Sequence, residues 1–351
     1  TIQAKDGLPV DILLTPTSTT WNGSSWSNGA PTSTIDAFIA GNYAELSDIE
    51  AKSLTVNNNA IVSIPSGYNV TLNGALTVSS GSFTLNNNAN LIQSTTVTNT
   101  GNITIKRNSN PLSRLDYTIW SSPVTNASQY LLGFSPSTLT NRFYNYNTTT
   151  NLYNTVTNPA TTPFTKGAGY LIRMPDTAVP FPSTEIFTGI FTGVPNNGDV
   201  QVSLNYVDAT HGYNMVGNPY PSTLDADAFI AANTTIIESS LYFWRKINGA
   251  TGSAYSVYNL LGSTSTPSSA TPNGKIQVGQ GFLVKAKRAA NVTFTNAMRV
   301  ADTQNQFFKI KQVVAQTDRV WLNMTNTAGA FSQALIGYTT DATSGVDMYD
   351  A

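Results

Sequence analysis

Along residues 48–106 apolar and polar positions alternate in short runs: Leu54 and Val56, Val62 and Ile64, Val70 and Leu72, Leu76 and Val78, Phe83 and Leu85, then Leu91. Successive side chains of an extended chain point to opposite faces, so each run predicts a strand with one buried face. Between the runs stand Asn57-Asn58-Asn59, Asn73-Gly74, Ser80-Gly81 and Asn86-Asn87-Asn88, residues that tolerate the positive φ of tight turns. The segments also echo one another. Leu54-Thr-Val-Asn-Asn-Asn-Ala60 returns as Phe83-Thr-Leu-Asn-Asn-Asn-Ala89, and Leu54-Thr-Val as Leu76-Thr-Val. Such echoes predict stacked rungs of a parallel β-solenoid. An antiparallel meander with Asn-rich turns is the competing arrangement.

Beyond residue 108 the pattern is a degenerate duplication. Tyr117-Thr-Ile-Trp-Ser-Ser-Pro123 matches Tyr213-Asn-Met-Val-Gly-Asn-Pro219 as Tyr-x-apolar-x-x-x-Pro. Each copy then runs through a short helix (Ser128 to Phe134; Asp225 to Ala232), an aromatic strand (Phe143 to Tyr146; Tyr242 to Trp244) and a Tyr-Asn pair (Tyr153-Asn154; Tyr258-Asn259). A Gly-x-Gly-aromatic-Leu strand closes each series, at Gly167 to Ile172 and Gly279 to Val284. The shared order is the evidence for duplication. The second copy carries a Ser/Thr/Pro-rich insertion near Leu261 to Pro272, expected as a surface loop. Ile190–Val194 and Val200–Leu204, joined through Pro195-Asn196-Asn197-Gly198, predict a hairpin closing the first copy. From Phe307 new strands begin, clearest at Val320–Met324 and Ala334–Tyr338. The expected fold is all-β: a short β-solenoid, duplicated β-sandwich-like units, and the start of a further β-module. Its divisions are 1–107, 108–210, 211–302 and 303–351.

Composition narrows the chemistry. The 351 residues hold 18 Lys+Arg against 19 Asp+Glu, and 11% are charged where a typical soluble domain has about 25%. With no basic run, the chain lacks the footprint of nucleic-acid binding. No apolar run approaches the ~18 residues that span a bilayer as a helix. There is no cysteine, hence no disulfide, thiolate nucleophile or Cys-ligated zinc, and one histidine, His211, with no Gly-x-Ser-x-Gly partner motif. The Gly-x-Gly segments lack the third glycine and the following helix of a phosphate loop. A lyase built on the solenoid would need charged groups, and residues 48–106 offer only Asp48, Glu50, Lys52 and Lys106. The sequence therefore predicts no enzyme and no obligatory cofactor.

Two sets of residues remain as candidates for binding. Asp225-Ala-Asp227 has a spacing seen in calcium loops, with Asp208 upstream. The competing reading is that Ser222, Thr223 or Asp225 caps the helix that Phe229 and Ile230 anchor. Tyr144, Tyr146, Tyr153, Tyr242, Trp244, Tyr255 and Tyr258 fall at corresponding places in the two copies and offer rings on which sugars stack. Alternation along the strands requires some of them to be core instead.

With these landmarks the sequence resembles the C-terminal regions of large secreted surface proteins of Flavobacterium-type gliding Bacteroidetes, exported by the type IX secretion system. The resemblance is carried by Trp21-Asn-Gly-Ser-Ser-Trp-Ser-Asn-Gly-Ala-Pro31, Gly81 to Gln93, Arg114 to Val124, Gly169-Tyr-Leu-Ile-Arg-Met-Pro175, Val216-Gly-Asn-Pro-Tyr-Pro221, Met298-Arg-Val-Ala-Asp302 and Arg319 to Thr325. It implies a non-catalytic stalk or adhesin-type module on the outer cell surface, part of a larger cargo protein, with the type IX machinery and surface polysaccharides as partners. The accessory region of a polysaccharide-degrading enzyme is the alternative. It also implies O-glycosylation at Thr177, within Asp176-Thr177-Ala178.

Overall fold

A computed structural model of the chain describes residues 16–244, 254–264, 272–302, 319–325 and 331–337. It is nearly all β, 48% strand against 6% helix, so sheets supply almost all of the core. The first part is a parallel β-solenoid of about four turns. Its strands are β1 (Ser18–Trp21), β2 (Asp36–Ile39), β3 (Ile49–Ala51), β4 (Ser53–Val56), β5 (Ile61–Ile64), β6 (Asn69–Leu72), β7 (Leu76–Val78), β8 (Ser82–Leu85) and β9 (Asn90–Gln93). They stack on three faces, ordered β1-β2-β4-β7, β5-β8 and β3-β6-β9, every pairing parallel. Leu54 lies over Leu76, Val62 over Phe83 and Val70 over Leu91, and all six are buried.

The solenoid starts upstream of the alternating region. β1 and β2 precede it, and Trp21 packs edge-on against Trp26 and Tyr43 at ring separations of 5.6 and 5.1 Å to close the first turns. The two sequence echoes have different meanings. Leu54-Thr-Val and Leu76-Thr-Val are true rung partners. The Asn-Asn-Asn-Ala echo instead marks tight turns at two different corners, β4 to β5 and β8 to β9, with positive φ at both central residues of the first and at only one of the second. In both the Ala amide donates to the first Asn carbonyl (3.0 and 2.9 Å), and Asn58, Asn59 and Asn88 take positive φ.

The first copy comprises β10 (Ile103–Leu112), β11 (Tyr117–Trp120), β12 (Val124–Thr125), α1 (Leu131–Phe134), β13 (Phe143–Asn147), β14 (Leu152–Thr155), β15 (Tyr170–Arg173) and β16 (Glu185–Pro195). The second comprises β17 (Val200–Leu204), β18 (Tyr213–Gly217), β19 (Thr223–Asp225), α2 (Ala226–Asn233), β20 (Ile237–Trp244), β21 (Tyr255–Asn259), β22 (Gly262–Thr264), β23 (Lys275–Ile276), β24 (Gly281–Ala286), β25 (Ala290–Phe294) and β26 (Arg299–Val300). The main sheets run β11-β15-β13-β14 and β18-β24-β20-β21-β22, the same topology with β22 added. In each copy the first strand pairs antiparallel with a strand near the end, β10 with β16 and β17 with β25. The helix then buries a phenylalanine against that late strand. Phe134 stacks on Phe191 at 4.8 Å and Phe229 on Phe294 at 4.6 Å.

This pairing corrects the expected hairpin. β16 and β17 do not pair, because each finds its partner at the opposite end of its own copy. The Asn196-Asn197-Gly198 turn is the junction between the copies, and β17 belongs to the second. The division placed at 107/108 falls inside β10, which runs parallel to β8 and antiparallel to β16 in one sheet, β12-β16-β10-β8-β5. Solenoid and first copy therefore share a sheet. The second copy is fixed to the solenoid by polar bonds. Asn90 accepts from the Thr223 amide at 2.9 Å and donates to the Asp302 carbonyl at 3.1 Å. Arg299 reaches the Leu91 carbonyl at 2.6 Å, with Ser222, Asn197 and Asn296 taking its other donors and Tyr220 under its plane.

The insertion expected as a loop begins as strand β22, and residues 265–271 lie outside the described residues. Of the expected C-terminal module the hairpin β27 (Arg319–Thr325) and β28 (Phe331–Gly337) is described, and the rest of 303–351 lies outside. Among the described residues no helix is long and apolar enough to cross a membrane.

Candidate functional site

The main sheets of the two copies meet face to face about a pseudo-twofold axis, as an isologous contact does. The Ser121 amide donates to the Gly279 carbonyl and the equivalent Gly217 amide to the Gly167 carbonyl, both at 2.9 Å. Bridges Trp120–Gln280 and Val216–Ala168 form a second matched pair. The Gly-x-Gly motif exists for this contact. A Cβ on Gly281 would sit 2.3 Å from Ile119 Cγ2, and one on Gly169 2.8 Å from both Met215 Cγ and the Val216 carbonyl. Ile119 and Met215 are the same position in the two copies. Together with Leu171 and Leu283 they form the dry centre, ringed by Tyr117, Tyr144, Tyr146, Tyr153, Tyr213, Tyr242, Trp244 and Tyr255.

Strand pairing fixes which ring matches which. Tyr144 lies opposite Leu171 and Tyr242 opposite Leu283, so Tyr144 matches Tyr242 and Tyr146 matches Trp244. Tyr146 pairs with Tyr153 as Trp244 pairs with Tyr255, which makes Tyr153 and Tyr255 equivalents. Their hydroxyls meet at 2.5 Å, joining equivalent residues across the interface. The Tyr153-Asn154 and Tyr258-Asn259 landmarks are thus three residues out of register. Tyr258 is a core residue of the second copy whose hydroxyl donates to Asp227 at 2.7 Å.

At one side of the interface the rings part to leave an open cleft of about 310 Å³ lined by Tyr146, Tyr213, Tyr242, Tyr255, Val257 and Leu283. Burial pushes the Tyr146 hydroxyl up to about 12 and raises those of Tyr242 and Tyr255 as well, so all three stay neutral donors and acceptors at physiological pH. Lys285 sits 5.7 Å over the Tyr213 ring and is paired with Glu238 at 2.9 Å. The cleft can accept a ligand with one apolar face and hydroxyls around its edge. Six of the seven aromatics picked from the sequence lie in the interface, and Tyr146, Tyr242 and Tyr255 line the cleft. Tyr144 is held by Tyr117 and by the Arg142 guanidinium, 3.1 Å from its hydroxyl. Sequence reasoning missed Tyr213, Val257 and Leu283; the repeated Tyr-x-apolar landmark contained the signal for Tyr213.

Asp225 is the N-cap of α2, accepting from the Ala228 amide at 3.0 Å and pairing with Lys275 at 2.5 Å. Burial acts to raise its pKa, but the Lys275 and Ala228 hydrogen bonds outweigh burial and hold it below the ordinary value. With Asp227 bound to Tyr258, both carboxylates serve the fold. Among the described residues no group of three His, Asp or Glu is placed to hold a metal. His211 lies beside Asp208 at 3.1 Å in an exposed turn. Thr177 is exposed in a turn after β15, between Asp176, which accepts from buried Arg173 at 2.6 Å, and buried Ala178.

Fold and site together define an all-β protein in which a parallel solenoid shares a sheet with the first of two copies joined about a pseudo-twofold axis. The chain belongs to the family described as a domain of unknown function, DUF8693, whose profile matches residues 15–351. No curated protein and no solved structure matches it.

Proposed function

We propose that the chain is a non-catalytic stalk and attachment region of a surface protein, secreted by a type IX system and displayed on the outside of the cell. The observation that carries this reading is the continuity of the β12-β16-β10-β8-β5 sheet, which joins solenoid to first copy with no linker between them. A stalk has to transmit force without a hinge, and a shared hydrogen-bonded sheet does so. The buried ionisable groups also serve structure: Arg299 joins solenoid and second copy, and Arg107 donates to Asn88 at a solenoid corner. Surface labelling of intact cells with an antibody to this region is the test. Labelling outside the cell, lost when the type IX translocon is inactivated, is expected; labelling only after lysis overturns the proposal.

The second reading, a carbohydrate-binding accessory region of a secreted polysaccharide-degrading enzyme, is favoured by the tyrosine cleft. Sugars stack on aromatic rings, and weak contacts gain strength when a surface displays many copies. Fusion of a catalytic domain to this region in the full gene product decides between the two readings.

A further inference from the structure

The two copies use one interface, yet their equivalent residues around the cleft differ: Val257 of its lining stands where the first copy has Thr155. Tyr146 of the first copy is matched by Trp244 of the second. The larger indole packs edge-on against both Tyr153 and Tyr255, at 5.8 and 5.4 Å, on the opposite side of the axis. Arg142, two residues before Tyr144, donates to that tyrosine's hydroxyl, whereas its equivalent two residues before Tyr242 is the small Ser240. On one side of the axis, then, the site carries an indole and a guanidinium. On the other the phenol of Tyr146 stands where the indole would, and there the cleft is open.

We infer that the cleft between the copies is a recognition site for a neutral pyranose, held with its apolar face against the tyrosine rings. This rests on the attachment role proposed above and names the ligand class for it. Three features select that class. The six lining residues carry no charge, so an anionic uronic acid finds no counter-ion; nearby Lys285 is already paired with Glu238. The Tyr213, Tyr242, Tyr255 and Tyr146 rings provide flat apolar faces with hydroxyls at their edges, matching the alternation of C–H faces and hydroxyl rim on a sugar. The volume lies at the small end of ligand-binding clefts, fitting a mono- or disaccharide unit rather than a long segment of polymer.

The test is saturation-transfer NMR on the full chain with gluco-, manno-, galacto- and xylo-trisaccharides, and with trigalacturonate as the charged comparator. Transfer to at least one neutral trisaccharide and none to trigalacturonate is expected. Tyr146→Trp, which installs the residue already accommodated at the equivalent position, should keep the melting temperature and weaken binding by about tenfold, the loss that one aromatic contact accounts for. Tyr146→Ala removes the wall instead of enlarging it and should weaken binding equally, so the test does not depend on one variant folding. No transfer to any neutral sugar, equal transfer to trigalacturonate, or binding that survives both substitutions overturns the inference. Surface labelling that succeeds while sugar binding fails leaves the stalk and removes the cleft; the reverse leaves the cleft and removes the stalk.

Discussion

Gly281 is the sharpest probe of the interface between the copies. Its φ is not in the left-handed region, so substitution by alanine tests space alone. The new Cβ would stand 2.3 Å from Ile119 Cγ2 and 3.3 Å from both Ile119 Cβ and the Val216 carbonyl. Ile119 is β-branched and buried, so it cannot rotate out of the way. Overpacking of this kind costs about 2 kcal/mol, and a melting temperature drop of about 4–8 °C follows at ~2–4 °C per kcal/mol. Ile119→Ala alone costs about 3 kcal/mol as a cavity. If the clash is the cause, the double variant is more stable than the sum of the two by about 1–2 kcal/mol, because each removes the other's damage. Thermal or urea unfolding of the four proteins measures this coupling. Additive costs would refute the face-to-face contact. Gly133→Ala in α1, where a Cβ meets nothing within 4 Å, is the control and should be neutral or slightly stabilising.

Arg299→Ala should destabilise by about 4 kcal/mol in urea unfolding, since it strips the Leu91 carbonyl, Ser222, Asn197 and Asn296 of one buried charged donor. Asp225→Asn should lower the melting temperature above pH about 4 and converge with the parent in more acid solution. A carboxylate with depressed folded pKa contributes stability that is lost as pH falls through that value, so a gap independent of pH would contradict the ion pair. Phe229→Ala should cost about 3–5 kcal/mol, matched by Phe134→Ala, because each ring stacks on a phenylalanine of the strand that pairs with the first strand of its copy. Mass spectrometry of protein secreted by a native-type host should find a glycan on Thr177 that Asp176→Ala abolishes.

The solenoid was legible because its strands bury one face each, so inward Leu54, Val62 and Val70 produce a period of two that needs no tertiary knowledge. Its first turns were hidden. β1 and β2 are separated by a long Ser-, Thr- and Gly-rich excursion, and alternation over four residues with such gaps carries no signal. The order of the duplication was legible from landmarks, and the sheet orders repeat it. The hairpin failed because Asn-Gly reports a local turn and says nothing of where the flanking strands find partners; β16 and β17 pair with strands at the far ends of their copies. The Tyr258 assignment failed for a similar reason. A Tyr-Asn pair is a short coincidence, whereas the register that makes Tyr255 the true match is set by cross-strand pairing with Trp244. The cleft itself lay beyond sequence reasoning, since it needs Tyr146 from one copy and Tyr213 from the other on one wall.

The duplication and the cleft are linked by a physical argument. An isologous contact places each residue against its partner's counterpart, so two identical copies would have two identical clefts or two identical plugs. Fusion in one chain removes that constraint, because each half can then change alone. The centre cannot diverge freely: Gly169 and Gly281 both face a packed side chain, and Tyr153 must meet Tyr255. The periphery can, and it has, with Tyr146 against Trp244 and Ser240 against Arg142. The contact therefore keeps its glycines and its tyrosine pair, while the buried Ile119 has become Met215 and the edge residue Tyr146 has become Trp244. Trp244→Tyr tests this division directly, since it should open space on the Trp244 side at a stability cost of no more than about 1.5 kcal/mol if the indole acts mainly as a space-filler, and a much larger loss would make Trp244 part of the obligatory centre.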